Sequence, residues 1–103
     1  MEIVESPLFM RQVSELLSEE SYRALQAALL LRPDAGALIP GSRGLRKIRW
    51  QVAGRGTRGG VRVIYVWRSA VGRLLMLCVY RKSDREDLSR AELRALRQLV
   101  DGD

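Results

Sequence analysis

The sequence predicts an α+β fold in which helices pack against an antiparallel sheet. Apolar residues recur with helical spacing before residue 33 and after residue 88, whereas residues 45–80 contain alternating or continuously apolar runs rich in β-branched and aromatic residues. Short connections between these runs predict an antiparallel meander of consecutive strands. With 103 residues, 47% of them apolar, the chain can form one core, and we expect a single domain over residues 1–103.

Two helices are predicted in the N-terminal third. Ser6 followed by Pro7 is the pattern of an N-cap and a first-turn proline, and Ser18 can cap a second helix whose first turn is acidic. Pro33 ends the second helix, and residues 1–4 are predicted to form a short edge strand. The expected buried faces are Phe9, Val13 and Leu16 or Leu17 in the first helix, and Tyr22, Leu25, Ala28 and Leu29 in the second.

Three strands are predicted over residues 45–53, Val61–Arg68 and 73–80, with loops at 34–44, 54–60 and 70–72. In the first strand Ile48 and Trp50 alternate with Lys47 and Arg49, so the two pairs face opposite sides of the sheet. We expect the two N-terminal helices to cover the apolar side, and the side with Lys47 and Arg49 to stay open.

A short C-terminal helix is predicted to begin at a capping box, in which Ser89 is the N-cap and Glu92 the third helical residue. The apolar side of this helix consists of Leu93, Leu96 and Val100, and Arg94 and Arg97 are expected to face outward.

The charge is strongly segregated along the chain. Residues 35–83 contain eleven Lys or Arg and no acidic residue, so the net charge of +6 divides into +11 in this stretch and −5 in its flanks. A segregated positive field attracts phosphate backbones. Nucleic acid is therefore the first partner to consider, and an arginine-rich solvated surface is the alternative.

Four cations and a phenol are candidates for one site on the sheet. Lys47 and Arg49 share a strand face, Arg62 lies on the next strand, and Tyr80 and Lys82 end the third. Arg62 has the same parity as two apolar residues of its strand, so a twist or a bulge is needed to bring it to the open face. The chain has no histidine, which excludes histidine-based acid–base catalysis and histidine metal ligands.

Other motifs in the sequence are weaker indications of a functional site. Residues 54–59 match the letters G-x-G-x-x-G, but a strand is predicted to follow, where a dinucleotide site needs a helix. Arg55 and Arg58 of this loop remain candidates for binding an RNA phosphate, together with Arg46. The acidic residues Asp84, Glu86 and Asp87 are expected to form a solvated turn without a metal or other cofactor. Cys78 alternates with Met76 in an apolar strand and is expected to be a buried small apolar residue and not a nucleophile.

Three segments carry a family resemblance: residues 44–49 (GLRKIR), 58–65 (RGGVRVIY) and 79–83 (VYRKS), closed by Asp87-Leu88. Together they resemble the RelE/ParE toxin superfamily, and its HigB-like branch in particular. The resemblance covers most of the chain and implies the compact RelE-like fold, with two N-terminal helices on one face of the sheet and a short C-terminal helix.

The resemblance also implies a function. The protein is expected to be the toxin of a bacterial type II toxin–antitoxin system, a cytoplasmic endoribonuclease that cleaves mRNA in the ribosomal A site without a cofactor. Its partners would be the 70S ribosome, mRNA and a HigA-like antitoxin with a helix-turn-helix domain, with no membrane association. By position, the family's catalytic residues correspond to Lys47, Arg49, Arg62, Tyr80 and Lys82.

Two alternatives stay open. A ParE-like inhibitor of DNA gyrase would use the same fold without cutting RNA, although that branch generally lacks the basic cluster. A non-catalytic or decayed RNA-binding relative is suggested by Leu88, which stands near the position of the RelE-type C-terminal catalytic tyrosine.

Overall fold

The computed structural model describes residues 1–52 and 60–102, which form an α+β fold of three helices and a five-stranded sheet. The predicted α+β class is confirmed. The strands are β1 (Glu2–Glu5), β2 (Ala37–Leu38), β3 (Leu45–Trp50), β4 (Val61–Arg68) and β5 (Arg73–Arg81), and the helices are α1 (Pro7–Leu16), α2 (Glu19–Leu31) and α3 (Arg90–Asp101).

The sheet has the strand order β1-β5-β4-β3-β2. Strands β3, β4 and β5 form the predicted antiparallel meander. The complete sheet is mixed, however, because β1 pairs with β5 in parallel. The segment predicted as a loop before β3 also contributes the two-residue edge strand β2, which pairs with Arg46 and Lys47.

Local capping chemistry fixes where the helices begin, as predicted. The hydroxyl oxygens of Ser6 and Ser18 accept the backbone N–H groups of Phe9 and Ser21 at 3.0 Å. At the start of α3 both contacts of the Ser89 capping box are present. Within the described residues, no helix combines the length and hydropathy needed to cross a membrane.

Helices α1 and α2 cover one face of the sheet. Phe9, Leu25 and Leu29 are fully buried there against alternate residues of β4, including Val63 and Tyr65. The Tyr65 hydroxyl donates to the Pro33 carbonyl and accepts the Gly36 N–H, both at 2.8 Å. A side chain at position 36 would collide with this ring, because an added Cβ would lie 2.7 Å from Tyr65 Cε1.

The second face of the sheet is not open, contrary to the sequence-based expectation. Leu96 and Val100 of α3 pack against Ile64 and Val66, which point away from α1 and α2, and form a second buried cluster. The reason is that β4 is apolar on both faces, so the exposed face needs a cover. The part of this face around Lys47 and Arg49 is left as a cavity.

A β-bulge at Leu77 changes the parity of β5. Ile64 pairs with Cys78 and Tyr65 with Met76, so Leu77 has no partner on β4. Its carbonyl accepts the Ser6 hydroxyl at 2.8 Å, and the Val79 N–H donates to Gln12 Oε1 at 2.9 Å. The bulge places Leu77 and Cys78 in the second cluster and Met76 in the first.

Candidate active site

Three of the sequence-predicted residues form a row across the sheet. Arg62 of β4 pairs directly with Arg49 of β3 on one side and with Tyr80 of β5 on the other. Directly paired residues point to the same face of a sheet, so this row lies on the α3 side. Arg62 needs no bulge to reach this face; the bulge at Leu77 instead turns Tyr80 toward it, because unbroken alternation from Met76 would direct Tyr80 to the helix-covered face.

Lys47 lies one position along the same face, where it is paired with Ile64. Lys47, Arg49 and Tyr80 line a cavity of about 490 Å³ between the sheet, the residues before β3 and the beginning of α3. The cavity joins two side-chain cations to a phenol, which is a combination that can bind and polarise a phosphodiester.

Arg62 is buried at the centre of this arrangement. Its side chain is 5% exposed, and Nη2 lies 3.6 Å from Glu86 Oε1. Its Nε atom is buried and makes no hydrogen bond to the described residues. This guanidinium therefore has a donor that the described residues leave unused, next to the cavity-lining residues Arg49 and Tyr80 with which Arg62 is paired.

The connecting segment, residues 83–88 between β5 and α3, brings carboxylates to the basic row. Asp87 Oδ1 is 2.7 Å from Lys47 Nζ, and this contact, together with the charges of Arg62 and Arg49, lowers the pKa of Asp87. These acidic residues were expected to form a solvated turn, and the side chains of Glu86 and Asp87 are indeed 61% and 71% exposed. They are also the acidic partners of Arg62 and Lys47, a role that was not expected.

Arg85 attaches the connecting segment to α3. Its guanidinium forms two hydrogen bonds to the Glu92 carboxylate, one of them 2.6 Å from Nη1 to Oε2, and its charge lies 6.0 Å from the centre of the Tyr80 ring. The Arg85 hydrogen bonds and the Ser89 N–H lower the pKa of Glu92 to about 2. The same carboxylate therefore caps α3 and holds the segment that carries Glu86 and Asp87.

The Tyr80 phenol is kept neutral by its surroundings. Burial, with a smaller contribution from Asp87, raises the pKa of Tyr80 to about 12, although Arg62 and Arg85 act in the opposite direction. Its hydroxyl donates to the Glu86 carbonyl at 3.3 Å. Nearby Cys78 is buried, and burial raises the pKa of its thiol to about 12, so it behaves as the predicted apolar residue and not as a nucleophile.

The remaining predicted residues do not join this cluster. Arg46 alternates with Lys47 and lies on the opposite side of β3, where its Nη1 donates to the carbonyls of Gly36 at 2.7 Å and Asp34 at 3.1 Å. Lys82 is exposed one residue beyond β5, and its backbone N–H donates to the Gly60 carbonyl at 3.0 Å. The candidates Arg55 and Arg58 lie outside the described residues.

The residues missed by sequence analysis are Glu86, Asp87 and their anchor Arg85. One signal was available, since Asp84, Glu86 and Asp87 are the first acidic residues after the acid-free stretch and directly follow the third strand. Across residues 1–52 and 60–102, no group of three or more metal-ligating side chains is found.

Comparison with known proteins gives a match of fold. No protein-family model matches the chain. Among solved structures, a double mutant of the E. coli toxin RelE in the free state has a similar fold, with a TM-score of 0.56 and 15% sequence identity over 95% of this chain and 94% of that one. The likeness extends over nearly the whole length of both proteins, and the chain therefore has a RelE-like fold.

Proposed function

We propose that this protein is the toxin of a bacterial type II toxin–antitoxin system and that it cleaves mRNA in the ribosomal A site. The observation that supports the proposal most strongly is the row Arg49–Arg62–Tyr80 with Lys47 beside it, at a cavity on the α3-side face. The RelE-like fold supports the same class of function.

The reaction is attack of a ribose 2′-OH on the adjacent phosphorus. The new bond gives a 2′,3′-cyclic phosphate, and the bond to the 5′-oxygen of the next nucleotide breaks. Negative charge accumulates on the non-bridging phosphate oxygens as the phosphorus becomes five-coordinate. Arg49 and Arg62 supply guanidinium donors for that charge, which is most effective where the donors are already fixed and shielded from water.

Two proton transfers accompany this step. The leaving 5′-oxygen needs a proton, and Tyr80 is suited to donate it because its raised pKa keeps the phenol protonated at neutral pH. Lys47 is the candidate base for the 2′-OH, since an arginine in the same position would stay protonated. Lys82 is the alternative donor.

The acidic side chains of the connecting segment must move away from the basic residues when substrate binds. In the free protein Asp87 and Glu86 sit against Lys47 and Arg62 at the positions that a phosphate would take. Both carboxylates are largely exposed, so they can move into water when a phosphate arrives. Release of Asp87 also frees the Lys47 amine from its carboxylate partner.

The proposed partners follow from this activity. The ribosome orients the mRNA, so naked RNA is expected to be cut poorly. A HigA-like antitoxin with a helix-turn-helix domain neutralises the toxin, and both act in the bacterial cytoplasm.

The test is a cell-free translation reaction in which mRNA 5′ ends are mapped with and without ribosomes. We expect cuts inside ribosome-occupied codons, no cuts on naked mRNA, and upstream fragments that end in a cyclic phosphate. Tyr80→Phe should abolish the cuts. The matched control is Tyr22→Phe, which removes the phenol that hydrogen-bonds Glu5, away from the cavity.

Intact mRNA during normal translation would refute the proposal. A gyrase supercoiling assay with the same protein would then test the ParE-like alternative. Equal cutting of naked mRNA would support the proposed endoribonuclease activity but refute its dependence on the ribosome.

A further inference from the structure

A second basic cavity lies beside the candidate active site. It is a cleft of about 550 Å³ between α3 and the turn before β3, and four of its lining residues are arginines: Arg43, Arg90, Arg94 and Arg97. Asp101 is the only carboxylate among the lining residues. The cleft is therefore strongly positive, and the active-site chemistry described above does not use it.

One side of the cleft is fixed by the fold. Arg97 Nη1 donates to the Arg43 carbonyl at 2.5 Å, and Arg97 Nε lies 3.3 Å from Asp101 Oδ1. Arg43 Nη2 approaches the same carboxylate at 3.5 Å. The expectation that Arg97 faces outward is thus wrong, because its side chain is only 23% exposed and joins α3 to the turn.

The other side carries two exposed arginines without a carboxylate partner. Within the described parts of the chain, neither Arg90 nor Arg94 forms an ion pair. Arg90 is the first residue of α3, where the helix dipole disfavours a cation. Arg94 follows one turn later, about 6 Å along the axis. An anion bound between them would offset both unfavourable features.

The cleft and the active-site cavity share two wall residues, Pro40 and Leu93. The two cavities therefore adjoin each other at these residues. Because the cleft adjoins the active-site cavity, one extended ligand can occupy the cleft and the cavity together.

The lining chemistry fits a phosphate backbone. All of the cations among its described lining residues are arginines, whose planar fork matches phosphate oxygens. None of the described residues that line the cleft is aromatic, so a base finds no ring there on which to stack. Pro40 and Leu93 provide too little apolar surface for an amphipathic peptide helix.

We propose that the arginine cleft is an extended substrate subsite, in which Arg90 and Arg94 bind phosphates of the RNA strand that flanks the scissile bond. The inference rests on the proposed endoribonuclease function and identifies its substrate as a strand several nucleotides longer than the reacting dinucleotide.

The test is equilibrium binding of uncleavable 2′-O-methyl RNA strands, four and ten nucleotides long, measured by fluorescence anisotropy at several salt concentrations. The native protein should bind the longer strand more tightly. Arg90→Ala/Arg94→Ala should lose this gain, and the slope of log K against log salt for the longer strand should become shallower by about 1.4, for two lost contacts to a single strand. Binding of the four-nucleotide strand should stay unchanged, which also shows that the variant is folded.

The matched control is Arg11→Ala/Arg23→Ala, which removes the same charge from exposed positions on α1 and α2, on the opposite side of the sheet. It should keep the gain with length. Equal losses for both strand lengths, equal losses in both double variants, or no gain with length in the native protein would each overturn the inference. So would an acidic peptide whose binding, and not that of RNA, depends on Arg90 and Arg94.

Failure of the subsite is distinguishable from failure of the proposed function. Unchanged binding in Arg90→Ala/Arg94→Ala with normal cuts in translation reactions overturns only the subsite. Lost length dependence in that variant, with no mRNA cuts by the native protein, supports the subsite and refutes the nuclease.

Discussion

Replacing Arg62 with methionine should separate the energetic cost of a buried cation from its use in catalysis. The Arg62 guanidinium is almost fully buried, and its Nε has no hydrogen-bond partner among the described residues. The Glu86 carboxylate at 3.6 Å is itself 61% exposed. Desolvation of a charge costs several kcal/mol, and an apolar residue of similar length in place of a buried ion is often stabilising by about 1–4 kcal/mol. An unfilled buried donor alone costs about 1–3 kcal/mol.

We therefore expect Arg62→Met to raise the midpoint of thermal unfolding, by about 4 °C for each kcal/mol gained in a domain of this size. The same change should lower ribosome-dependent cleavage about 10²- to 10³-fold, as does loss of one donor to a developing oxyanion. Calorimetry and single-turnover cleavage on stalled ribosomes measure the two effects on the same preparation.

The matched control is Arg49→Met, which removes the neighbouring cation of the same row from an exposed position. Its free energy of unfolding should change by less than about 0.5 kcal/mol, while cleavage again falls. A lower unfolding midpoint for Arg62→Met would refute the reasoning, since Arg62 would then hold the sheet together. Cleavage within tenfold of the native rate would remove Arg62 from the site.

Three further changes test the packing around the site. Glu92→Gln keeps a side chain that can cap α3 but loses the charge that binds Arg85. The lowered pKa of Glu92 stabilises the folded protein at pH values above 4.5, the ordinary pKa of a glutamate, and this stability is lost as the pH falls toward 2. In urea titrations, the free energy of unfolding of the variant should therefore depend less on pH between 4.5 and 2 than that of the native protein. The raised pKa of Cys78 has the opposite sign, so the native protein should lose stability as the pH rises from 9 toward 12, and Cys78→Ala should reduce that alkaline loss in the same titration. Tyr65→Phe leaves two backbone groups without their partner and should lower the free energy of unfolding by about 1–3 kcal/mol; a change below the error of the denaturation curve would show that water replaces the hydroxyl.

The elements with local signals could be predicted from the sequence. Ser6, Ser18 and Ser89 each place a hydroxyl where the first N–H groups of a helix need an acceptor, so all three helix starts were predicted correctly. Strand β4 was predicted with its observed bounds, because turn residues flank a continuous run of β-branched and aromatic residues.

Features that depend on distant parts of the chain could not be predicted. The bulge at Leu77 could not be predicted, because residues 74–79 are all apolar. A bulge is recognisable in a sequence only where it interrupts an alternation of apolar and polar residues. The position of α3 was also undetermined, since its apolar side can pack on any exposed apolar surface. The parallel pairing of β1 was missed because local sequence does not encode which strand an edge strand joins.

The candidate site was predicted in part for the same reasons. Lys47 and Arg49 follow from the two-residue period within one strand, whereas the alignment of Arg62 with Tyr80 depends on register and on the bulge. Glu86 and Asp87 were missed because their role depends on Arg85, which draws the connecting segment back against Glu92.

The parallel pairing of β1 with β5 has a consequence for the order of folding. Glu2 is opposite Arg73, 71 residues later in the chain. During synthesis the first strand therefore emerges from the ribosome long before the strand that pairs with it, and it must wait while the intervening helices and strands appear. Contacts of such long range slow folding, because the loop between them must close first. The sheet edge is thus completed only after β5 has emerged, and truncated chains that lack β5 should fail to acquire protease resistance.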